Sequence, residues 1–162
     1  MTFKHIVLIA VVLILLILSL FYYVLRDKML DVSKEEPFVE LINKQLTTKK
    51  RCVLAKNPGL PIKDSHPYII EDGSSYRIED IEIIKEIPLA SNFTIQSVEL
   101  HKGAVSGATI CYVFGSITLE NETYPFCVSW GRKNAIENSN WVFPQSFWQE
   151  KEYDQEFSLP EL

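Results

Sequence analysis

Hydrophobic and polar positions divide the chain into three regimes. From Ile6 to Leu25 twenty residues carry no charge, and apart from Ser19, Tyr22 and Tyr23 all are aliphatic or Phe. At helical rise this run matches the roughly 30 Å hydrocarbon core of a bilayer. It is longer than the apolar stretch of a cleavable signal, about 7–15 residues, and no small-x-small cleavage site follows it. Tyr22 and Tyr23 suit a headgroup interface, with Arg26 and Lys28 beyond. The pattern predicts an uncleaved transmembrane anchor over 6–25, behind a five-residue tail.

The second regime has helical period. Phe38, Ile42 and Leu46 recur every fourth position, with Val39 and Leu41 beside them. Ser33-Lys34-Glu35-Glu36 reads as a capping box, and Pro37 falls in the first turn. Lys44, Lys49, Lys50 and Arg51 gather where cations favour the C-terminal end of the dipole. One amphipathic helix of about three turns is expected.

The third regime alternates. Arg51–Ala55 reads as a short strand, and Phe93–Leu100 as another that closes at Lys102-Gly103. Tyr68–Ile70 and Tyr76–Ile84 flank Glu71-Asp72-Gly73-Ser74, and Asp-Gly is a hairpin signal. Ala108–Leu119 and Thr123–Trp130 form the clearest pair, joined through Glu120–Thr123, with Leu119 set opposite Tyr124. One face then carries Cys111, Val113, Ile117, Leu119, Tyr124, Phe126, Val128 and Trp130, a core face. The other, more mixed face carries Tyr112, Phe114, Ser116, Thr118, Cys127 and Ser129. Trp141–Phe143 makes a third strand, and the acidic C-terminal tail is expected to fray.

The expected fold is α+β: a single N-terminal transmembrane helix, then one amphipathic helix packed on a mainly antiparallel β-sheet. The divisions are a tail (1–5), the anchor (6–25), a juxtamembrane linker and helix start (26–36), the α+β domain (37–148) and the acidic tail (149–162).

Charge narrows the partners. Of 16 basic and 21 acidic residues, 13 and 20 lie from Met29 onward, because Lys4, Arg26, Lys28 and Asp27 precede it. A domain near −7 is a poor match for nucleic acid, whose binding needs phosphate neutralised. Anionic lipid would repel it too, which leaves the apolar run as the membrane contact. A basic protein partner is the natural complement, although net charge also serves solubility.

Three cysteines allow at most one internal disulfide. Cys111 and Cys127 point to opposite faces and lie out of register, Cys52 is open to either, and three buried thiols is the plainer reading. His66, in the loop Asp64-Ser65-His66-Pro67-Tyr68, is a candidate metal ligand or proton shuttle, but a histidine beside a proline is more often a turn residue. His101 closes a strand beside Lys102-Gly103, with no evident base partner along the sequence. A Cys–His nucleophile pair, such as Cys111 with His66, needs convergence in space. No serine elbow, phosphate loop, zinc spacing or paired-carboxylate motif occurs. No catalytic, cofactor-binding or metal residue is assigned, and no cofactor is expected. Asn92-Phe93-Thr94 and Asn121-Glu122-Thr123 are sequons that matter only in a eukaryotic secretory pathway, and the Lys- and Ile-rich composition reads as bacterial.

The layout resembles small bacterial proteins with one N-terminal anchor and an exported α+β domain. Immunity proteins that neutralise toxins and single-span assembly factors of respiratory complexes are among them, and no diagnostic motif goes with the likeness. It implies a non-enzymatic protein-binding module at the inner membrane, facing the periplasm, foremost an immunity protein or inhibitor. The alternative is an assembly or scaffolding factor, which would place specific contacts in the apolar segment, where only Ala10 and Ser19 are small. Trp130, Trp141, Phe147 and Trp148 cluster late in the chain and some must be core, while Phe147 and Trp148 are candidate interface anchors if they project after Pro144. Core is the safer expectation.

Overall fold

In a computed structural model, the described residues are 3–56, 59, 62–72, 81–104, 106–133 and 140–162. Among these residues a helix, α1 (Phe3–Val24), precedes eleven strands. They are β1 (Lys28–Asp31), β2 (Gln45–Thr47), β3 (Cys52–Lys56), β4 (Tyr68–Glu71), β5 (Ile83–Ile87), β6 (Asn92–Lys102), β7 (Thr109–Leu119), β8 (Glu122–Ser129), β9 (Arg132–Lys133), β10 (Asn140–Val142) and β11 (Phe157–Ser158). Eight strands form one sheet in the order β1-β6-β7-β8-β4-β3-β5, with β2 also on β6. A second sheet has the order β11-β10-β9.

The expected fold class is corrected on two counts. First, among the described residues no helix is long and apolar enough to cross a membrane. Second, the amphipathic helix does not exist. The chain from Ser33 to Lys44 is a run of turns between β1 and β2, with the Glu36–Pro37 bond cis. The protein is a sheet-rich β domain, not α+β.

Tertiary demand overrides the helical pattern here. β1 covers β6 from Glu99 to Lys102, and β2 covers it from Asn92 to Thr94. A three-turn helix between them would leave the middle of that edge without partners. Instead Val32 N–H donates to Val98 O (2.9 Å) and Asn43 N–H to Ile95 O (2.8 Å). Ser33, expected as a helix cap, accepts from Val98 N–H through its hydroxyl (2.9 Å). Phe38 still reaches the core, fully buried against Trp130 and Phe143 with ring centroids 5.9 and 5.2 Å away.

The β7–β8 hairpin keeps its expected faces at a shifted register. Leu119 pairs with Glu122 and Ile117 with Tyr124, two positions from the expected alignment. Glu120 and Asn121 both take positive φ (51° and 70°) and close a two-residue turn that suits strand twist. A shift of two leaves every side chain on its face, so the core face is as read, with Val128 half-buried and the rest buried. Gly115 sits opposite Phe126, whose ring fills the place of a side chain. A Cβ there would lie 2.7 Å from that ring and 2.4 Å from Thr94 O. The irregularity falls in β6, between Ile95 and Ser97, and not at Gly115.

β4 and β5 are not a hairpin: β3 lies between them, antiparallel to both. The expected strand residues 76–80 and the Gly73-Ser74 turn lie outside the described residues. β4 meets β8 through one parallel pair, Tyr68 with Phe126.

The late aromatic residues are core. Trp130, Trp141, Phe147 and Trp148 are all buried, and Trp130 Nε1 donates to Pro144 O at 2.8 Å. The segment expected to fray contributes β11, buries Phe157 and Leu159, and ends with Leu162 O accepting from Lys102 Nζ at 3.0 Å.

Candidate functional site

Two places gather polar chemistry. The first is the sheet face opposite the core. Alternation along β6 sends Val98 and Leu100 inward and Glu99 and His101 outward. Tyr112 of β7 stands opposite Glu99, and Cys127 of β8 opposite Phe114. The segment after Ile62 crosses this face. Its Lys63 forms an ion pair with Glu99 and holds Nζ 4.2 Å from the centre of the Phe114 ring. His66 stacks edge-on against the same ring at 5.2 Å, and its Nδ1 lies 2.9 Å from Ser65 Oγ.

Both candidate histidines therefore meet on one face, with Glu99 as the shared element. His101 Nε2 lies 3.1 Å from Glu99 Oε2, while Lys63 takes Oε1. The base partner that the sequence reading did not find is two residues away, since i and i+2 share a face in a strand. Period-2 reading of Glu99-Leu100-His101 would have found it.

The Lys63–Glu99 contact fastens the segment after Ile62 to β6. Each Glu99 oxygen is engaged within the fold, Oε1 by Lys63 and Oε2 by His101. Burial is the main influence holding the His66 imidazole below its ordinary pKa, against a smaller raising effect of the Gln96 side chain. Among the described residues no three His, Cys, Asp or Glu side chains are grouped to hold a metal ion.

The cysteines are three free, buried thiols. Burial pushes each of Cys52, Cys111 and Cys127 up to about 12, far from the thiolate a nucleophile needs. Cys111 lies on the core face, where its carbonyl accepts from Trp130 N–H at 2.9 Å. His66 packs against Phe114 on the other face, so the sheet separates that pair.

The second place is a groove of about 640 Å³ at the end of the sheet where β5 leads toward β6. Val53 pairs with Glu71 on one side and Glu86 on the other. Residues directly opposite across strands point to the same face. Two carboxylates therefore flank one apolar side chain, about 10 Å apart at two strand spacings. Asp72 adds a third carboxylate, bonded to Lys50 Nζ at 3.2 Å, and Arg51 stands on the rim. Ile87 and Leu89 extend the apolar lining, Leu89 being 55% exposed. Glu71 and Glu86 are fifteen positions apart in sequence, and only the insertion of β3 between their strands unites them. No local pattern announces this row.

No protein-family model matches the chain, no curated protein matches it, and no solved structure matches it.

Proposed function

We propose that this chain is a non-enzymatic binding protein, held at a membrane by its apolar N-terminal helix, that captures a basic protein partner in the acid-rimmed groove. The row Glu71–Val53–Glu86 carries this reading. An apolar strip between two carboxylates suits an extended segment in which cationic and apolar side chains alternate. The acidic balance of the domain favours the same partner through long-range attraction. An immunity protein or inhibitor that neutralises a basic protein belongs to this class.

The described side chains of α1 from Leu8 to Tyr23 are exposed on all sides. So large an apolar surface supports contact with lipid acyl chains. α1 and the groove adjoin opposite ends of the eleven-residue strand β6, about 35 Å apart. The groove therefore opens away from the lipid. In this reading the domain faces the periplasm. Digestion of the domain by protease in spheroplasts tests that side.

The binding test uses the full chain in neutral nanodiscs and labelled peptides that alternate Lys with Leu or Glu with Leu. The Lys peptide binds, its affinity falls with salt, and Glu71→Lys with Glu86→Lys weakens it tenfold or more. Equal binding of the two peptides, or indifference to the charge reversal, sinks the reading.

A further inference from the structure

The end of the acidic domain that is joined to α1 is basic. Only Leu25, Arg26 and Asp27 separate α1 from β1. Asp27 Oδ1 accepts from Ala104 N–H at 3.0 Å, which fastens the junction to the β6–β7 turn. Lys28 pairs with Lys102 across the β1–β6 ladder. Lys102 and Lys133 line one small cleft beside Thr109, and Arg132 stands exposed next to Lys133. Among the described residues five cations thus gather at this end, with Lys133 paired to Glu161 and Lys102 bonded to Leu162 O, in a domain whose overall charge is strongly negative. Two apolar side chains stand at the same end, on the sheet face opposite Lys28 and Lys102. Met29 and Ile110 flank His101 in one cross-strand row, so all three share the outer face, and they are 61% and 40% exposed.

We propose that this end of the domain, centred on Arg26, Lys28, Met29, Ile110 and Arg132, docks on the headgroups of anionic phospholipid. The inference rests on the reading of α1 as the membrane contact and adds a second, electrostatic one. The three-residue connection cannot span more than about 10 Å, so a helix held in lipid brings this end to the interface. Cations there reach phosphate groups while Met29 and Ile110 enter the acyl boundary. The remaining acidic surface is repelled by the same lipid, so the two effects together set one orientation, with the groove outward.

The test places an environment-sensitive dye on the full chain at Ile110→Cys or, as a distal control, at Leu89→Cys. The native thiols are buried with raised pKa values and label slowly by comparison. Vesicles are phosphatidylcholine alone or mixed with phosphatidylglycerol. The dye at position 110 shifts to the blue with phosphatidylglycerol and reverts with salt, while the dye at position 89 does not respond. Lys28→Glu with Arg132→Glu lowers that lipid-dependent signal roughly fivefold per charge removed. A signal at 110 that ignores phosphatidylglycerol, or survives the reversal, overturns the proposal. Flotation separates the two readings. Flotation with both vesicle types, with 110 unresponsive, sinks only the docking end. Flotation with phosphatidylglycerol alone sinks the α1 contact and keeps the docking end. Flotation with neither sinks both.

Discussion

The Ser33 hydroxyl accepts a hydrogen bond from Val98 N–H at 2.9 Å and supplies a rung that neither β1 nor β2 provides. A side chain here completes a strand edge between two short strands. Ser33→Ala removes the acceptor and leaves a partly buried amide without a partner, so the fold loses about 1–3 kcal/mol. Denaturant unfolding of Ser33→Ala and Ser33→Thr reads this, with Thr retaining most of the stability. Equal stability of Ala and wild type would mean that water fills the rung.

Gly115→Ala drives a Cβ into Thr94 O and the Phe126 ring. Destabilisation of at least about 1–3 kcal/mol is expected from such overpacking. Because one of the two obstacles is backbone, Phe126→Leu does not rescue it, and a thermal melt of the double variant shows a loss larger than either single change. Full rescue would place the conflict in the ring alone.

Stability depends on His66 with a definite sign. Its folded pKa lies below the ordinary 6.5, chiefly through burial, so the unfolded chain binds the proton first as pH falls. The folded state therefore loses stability below about pH 6.5, and this penalty is absent above it. Urea titrations from about pH 7.5 to pH 5 show a smaller drop for His66→Gln than for wild type. Matching slopes would remove His66 as the source.

Native thiols are protected. Thiol reagents at neutral pH label Cys52, Cys111 and Cys127 far more slowly in the folded protein than in denaturant, since each is buried and protonated. Rapid labelling of one cysteine in the native state would contradict its burial.

Legibility followed the range of the interactions. The β7–β8 faces were readable because a period of two survives any even slip, and the slip itself came from counting four residues into a turn that needs two. The stripe at Phe38, Ile42 and Leu46 was read as a helix because local period cannot report that β6 has an edge to cover. Phe38 found the core all the same. The Asp72-Gly73 signal suggested direct pairing of its flanks, but β3, earlier in the chain, takes the place between them. Glu99 and His101 were legible as a pair and were missed. The Glu71–Glu86 row was not legible, because it depends on three strands whose order no local window contains.

The single parallel pair between Tyr68 and Phe126 divides the large sheet into two leaves. One leaf, β6–β7–β8, is built from neighbours in sequence and closes on itself as a meander. The other, β4–β3–β5, meets it in the sheet through that one pair, with Lys85 of β5 reaching Glu120 and Glu122 across the join. Cooperative units of unequal stability follow from such a joint. Amides of β3 exchange with solvent before those of β7, and the groove belongs to the earlier-opening leaf. A partner seated there would act as a clasp, slowing exchange across β3 and leaving the meander as it was.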